Sequence, residues 1–166
     1  MAAAFSSITP IPSGICATRG CGRHPYARRC PARDADTTAD DSIADMAARA
    51  LRLADGPLLP VGFSMGAIVV LEMARRVPDR VAGAVLIGLN AGADLPERAA
   101  HRPVQQAEMR AGGLERVLVE VLKPYYLARA HRSNRALLEL LRDMGMALGP
   151  AVFVRQSEAL RTRPDL

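Results

Sequence analysis

A chain of 166 residues has room for one core of ordinary size and not for two. Its 49% apolar and 23% charged side chains exclude a disordered or fibrous protein, and no apolar run reaches the roughly 18–20 residues of a membrane-spanning helix. The net charge of +5 sits in the lead: residues 1–33 hold Arg19, Arg23, Arg28, Arg29 and Arg33 with no acid, and from Asp34 onward the signs balance. With no basic footprint on the folded part, no nucleic-acid partner is expected.

Residues 1–37 read as an irregular lead segment. Pro10, Pro12, Pro25 and Pro31 interrupt any helix, and Gly14, Gly20 and Gly22 add turns. The start lacks the basic-then-apolar order of a secretory signal, and its prolines spoil the amphipathic helix of an organellar transit peptide, so a cytoplasmic location is expected. Cys16, Cys21, His24 and Cys30 are residue types that bind zinc, but they form no two-residue Cys–Cys knuckle. Free thiols are the preferred reading, and neither a metal nor a cofactor is expected.

Ser42 followed by Asp45 is like a capping box with Asp in place of Glu. Ile43, Met46, Ala47, Ala50 and Leu51 then recur at helical spacing up to Ala54, before Asp55-Gly56-Pro57 stops the helix. Leu58 to Phe63 suits a buried strand, although Pro60 cannot donate to a ladder. From Gly66 the pattern is helical to Val77, closed by Pro78, and Val81 to Gly88 is a second apolar strand. Strand, helix, strand in that order requires parallel strands and a right-handed crossover. Beyond Asp94 the signals are helical: Pro96 to Gly112, Leu114 to Leu122, a helix capped by Asn134, and a last one from Gly149-Pro150 to Leu160. A sheet built on strands 58–63 and 83–88 alone leaves edges and apolar faces uncovered. That predicts marginal stability, dependence on a partner, or a homo-oligomer through the exposed edge.

Gly62-Phe63-Ser64-Met65-Gly66 places a G-x-S-x-G turn between predicted strand and helix. Such a turn strains the serine backbone and lifts its hydroxyl clear of the sheet. Side chains at positions 62 and 66 are expected to collide, hence the two glycines. The Met65 N–H and the positive end of the helix face the oxygen that becomes an anion when serine attacks a carbonyl. The plain alternative is a serine in an ordinary strand-to-helix turn that binds phosphate.

The run from Val61 to Gly88, with this turn and its Pro78-Asp79-Arg80-Val81 lead into the next strand, resembles the nucleophile segment of the α/β-hydrolase fold superfamily. Asp41 to Leu51 is similar to that family's helix before the nucleophile strand, and Phe153 to Asp165 to its last cap helix. The resemblance covers residues 38–166 and implies a partial α/β-hydrolase fold: a core fragment over 38–94 and a helical cap over 95–166. It implies Ser64 as nucleophile, Met65 as an oxyanion donor, and a serine hydrolase acting without cofactor on a small ester, thioester or lactone. In the family the acid and the histidine follow the serine on later loops. This chain stops at Leu166, so a truncated member with little or no turnover is expected. A non-catalytic remnant or interaction module is the alternative. A rebuilt triad of Ser64, His101 and Asp94 is set against the preferred reading, in which His101 and His131 are exposed beside Arg102 and Arg132. Tyr125 and Tyr126 are expected in a core or interface rather than lining the cap.

Overall fold

The computed structural model describes residues 14–17, 32–122 and 127–166. Cys21, His24, Cys30, Tyr125 and Tyr126 therefore lie outside the described residues. Four strands, β1 (Gly14–Ala17), β2 (Ala32–Asp34), β3 (Leu58–Phe63) and β4 (Val85–Ile87), form one sheet in the order β2-β1-β3-β4. β3 and β4 are parallel, with Val61 opposite Val85 and Phe63 opposite Ile87. β1 runs antiparallel to both β2 and β3.

The two strands inside the lead correct the expectation of an irregular segment through residue 37 and of a two-stranded sheet. β3 has a free backbone edge, and a four-residue stretch at Ile15 satisfies part of it by pairing, with Ile15 opposite Pro60. Four residues are too few for an alternating pattern to show among glycines and prolines. Pro60 is fully buried in β3, and pairing with β4 begins only at Val61, so its missing N–H precedes that ladder.

α1 (Ile43–Leu51) starts where Ser42 predicts. The Ser42 side chain accepts the Asp45 N–H at 3.0 Å, and its own hydroxyl donates to the Asp45 carboxylate at 2.6 Å. Asp45 is one methylene shorter than Glu and bonds the cap's side chain rather than its backbone, so the box is half-formed. α2 (Met65–Arg76) follows β3 with one residue between them. Ile43, Met46, Ala47 and Ala50 of α1 pack with Met65, Ile68, Val69, Val70 and Met73 of α2 and with Leu58 of β3. Each large apolar chain buried there contributes about 1.5–3 kcal/mol.

The remaining elements are helical. α3 (Pro96–Arg110) and α4 (Leu114–Arg116), which continues as a π-helical stretch over Val117–Leu122, lead to α5 (Arg135–Arg161). Asn134 caps α5 by accepting the Leu137 N–H. The two helices expected on either side of residue 149 are both present within α5 and meet at a kink at Gly149, whose φ of 76° and ψ of 171° are not helical. α5 joins two cores. Phe153 packs with Met109, Leu114, Val117 and Leu118, while Ala159 and Leu160 enter the core of α1 and α2. Among the described residues, no helix is long and apolar enough to cross a membrane.

Candidate active site

Ser64 occupies the single position between β3 and α2, with φ 49° and ψ −107°. It is the one non-glycine residue with positive φ among those described, a conformation costing roughly 1–3 kcal/mol for a residue with a Cβ. Hydrogen bonds hold it there from both sides. Its N–H donates to the Ile87 carbonyl at 2.7 Å, extending the β3–β4 ladder by one rung. Its carbonyl accepts from Ala67 at 3.0 Å and Ile68 at 3.2 Å to open the helix. Its hydroxyl caps nothing and is without a hydrogen-bond partner among the described residues. A side chain of this type normally satisfies a helix N-terminus; here the turn carries it away from that role.

The two turn glycines differ. A Cβ on Gly62 would lie 2.5 Å from Ala67 N and Cα, so only glycine lets the helix start pass this close to the strand. A Cβ on Gly66 would meet nothing within 4 Å. The expectation that both positions are sterically closed is therefore corrected at Gly66, which points into open space beside α2. Met65 begins α2 with its side chain buried in the core.

Ser64 opens on a cleft of about 140 Å³, walled by Ile68, Gly88, Leu89, Asn90, Arg98 and Arg163. Asn90 Oδ1 accepts the Gly92 N–H, and the loop after β4 is fastened to the end of the chain. The Leu166 N–H donates to Ala91 O, Arg163 Nε donates to Gly92 O at 2.9 Å, and the Ala93 N–H donates to the Asp165 carboxylate. Desolvation lowers the Arg163 pKa from its ordinary value; Asp94 opposes that shift, and the Arg102 and Arg98 charges add to it.

Asp94 is buried and its Oδ2 accepts from Arg102 Nε at 2.6 Å. His101 and His131 are both exposed, and neither hydrogen-bonds Ser64 or Asp94 among the described residues. The structure thus does not bring Ser64, His101 and Asp94 together: Asp94 serves an arginine instead. No cluster of three metal-ligating side chains occurs among the described residues. Arg98 and Arg163 carry no mark in the sequence. They reach the cleft through the docking of α3 and the chain end on the β4 loop, a long-range contact that no local motif announces.

A family model described as the alpha/beta hydrolase fold matches residues 18–155. Nothing among curated proteins matches. Among solved structures, the chain is similar to a thermophilic esterase from Thermogutta terrifontis, determined with malate bound, at 24% identity and a TM-score of 0.69. That likeness covers 81% of this chain and 50% of the esterase, so the chain spans about half the esterase's length. With the family's pattern matched over most of its residues, the chain belongs to the alpha/beta hydrolase fold family.

Proposed function

We propose that this chain carries the nucleophile of a serine hydrolase acting on small esters, thioesters or lactones. The observation that carries the reading is Ser64: a strained serine between strand and helix, on the wall of a cleft, its hydroxyl without a hydrogen-bond partner among the described residues. Ser64 Oγ attacks the carbonyl carbon, and the Met65 N–H at the positive end of α2 donates to the resulting oxyanion. Gly62 lets the turn close, and Gly66 continues the helix. α3 to α5 act as a cap over the substrate. A base must take the serine proton and later return it to the leaving alcohol. His101 and His131 do not stand at Ser64, so the described residues alone support weak turnover at most.

That same lack favours a second reading, a non-catalytic remnant that keeps the turn without the chemistry. A fluorophosphonate probe separates the two. Covalent labelling that disappears in Ser64→Ala supports the nucleophile, and a folded protein that takes no label supports the remnant.

A further inference from the structure

Arginines converge on the Ser64 cleft. Arg98, in the first turn of α3, and Arg163, just past the end of α5, both line it. Arg102, one helical turn beyond Arg98, holds Asp94. The acids that act on Arg163 are Asp94 and Asp165, and the nearby Glu158 is itself held by Arg161. Arg98, Arg102 and Arg163 against Asp94 and Asp165 leave one positive charge over. Arg98 is half-buried and makes no hydrogen bond or ion pair among the described residues. Arg163 is 5% exposed, and its Nη1 and Asp94 Oδ1 are the two buried side-chain atoms without a partner among the described residues.

Arg163 therefore brings a guanidinium charge with an unused donor to the wall of the cleft, and a charge-assisted hydrogen bond to an anion there is stronger than a neutral one. The guanidinium is also held in place before any ligand arrives. Its Nε is tied to Gly92 O, and the bonds from Leu166 and to Asp165 fix the segment on either side. Little ordering remains to be done on binding.

We propose that the cleft holds a substrate carboxylate between Arg98 and Arg163, so that the ester or lactone cleaved at Ser64 bears a free carboxylate close to the reacting carbonyl. The attack rests on the serine-hydrolase reading; the anion subsite does not. One excess positive charge matches a monoanion, whereas a phosphate dianion would bring more negative charge than the wall offsets. A cleft of about 140 Å³ suits a short acid. The planar fork of each arginine matches the two oxygens of a carboxylate.

The test uses calorimetric titration in a Ser64→Ala background, where no turnover disturbs the signal. Monomethyl succinate is expected to bind at least tenfold more tightly than the uncharged dimethyl succinate. Arg98→Gln is expected to remove that preference, weakening monomethyl succinate binding at least tenfold more than dimethyl succinate binding. Arg163→Gln also removes a buried tether, so Arg98→Gln, checked by its thermal melt, carries the test. Equal affinity for the charged and neutral esters, or no effect of Arg98→Gln, overturns the proposal. Inorganic phosphate binding more tightly than the half-ester overturns the carboxylate assignment. Selective half-ester binding in a chain whose Ser64 takes no phosphonate sinks the nucleophile reading and supports the subsite.

Discussion

At Ser64 the backbone is held at φ 49° by a ladder bond to Ile87 and by the first turn of α2. Removing only the hydroxyl leaves that strain in place, whereas glycine relieves it. Ser64→Gly is therefore expected to be about 1 kcal/mol more stable than Ser64→Ala in urea unfolding, with neither variant taking a phosphonate label. Equal stability would mean that the turn is not strained. The two flanking glycines make a second contrast. Gly62→Ala drives a Cβ against the Ala67 backbone and is expected to cost about 3 kcal/mol or more. Gly66→Ala meets nothing and adds a better helix former in the first turn of α2, so its stability is expected to hold or rise by up to about 1 kcal/mol. The turn was legible because G-x-S-x-G is a local pattern whose geometry depends on five adjacent residues. The arginines opposite it were not legible, because their approach depends on how α3 and the chain end settle on a loop far away in sequence.

On the scale of elements, α2 shows how a helix end is stabilised by charge. Glu72 is buried and accepts from Arg75 at 2.8 Å and Arg76 at 2.6 Å in the last turn. The Arg75 hydrogen bond, aided by Arg76, lowers its pKa from 4.5 to about 2. A depressed carboxylate pKa means that the folded state prefers the ionised form. The stabilisation is thus complete above about pH 5 and is lost as pH falls from 4.5 toward 2. Glu72→Gln is expected to lower unfolding free energy by about 1–2 kcal/mol at pH 7, with the difference from wild type closing near pH 2. A difference that persists unchanged to pH 2 would point to packing rather than charge. The helices were readable because their stop and start signals are local: Ser42, Pro78, Pro96 and Asn134 all lie at or beside the observed ends. β1 and β2 were not, because three or four residues carry no periodicity and owe their conformation to pairing across the sheet.

For the whole molecule, the sheet ends asymmetrically. β1 and β2 cover one side of β3, but β4 pairs only with β3 among the described residues. Val85, Leu86 and Ile87 are 46%, 37% and 47% exposed, so β4 is apolar on both faces as well as open along its edge. Leu59 and Phe63 of β3 add 39% exposure each. Uncovered backbone donors and acceptors beside apolar side chains form a template for another strand; no charge, proline or bulge interrupts β4, and its three-residue length is the one safeguard it has. A second copy of this chain is expected to pair edge to edge with β4, which would satisfy the open backbone of both copies. Sedimentation velocity is therefore expected to show association that grows with concentration. Val85→Lys should shift the distribution toward monomer without lowering the melting temperature of the dilute protein, because Val85 is already half exposed to water. A wild-type chain that stays monomeric across the accessible concentrations would show instead that β4 is tolerated bare. Its exposed valine and isoleucine would then have to be balanced by the α1–α2 core alone.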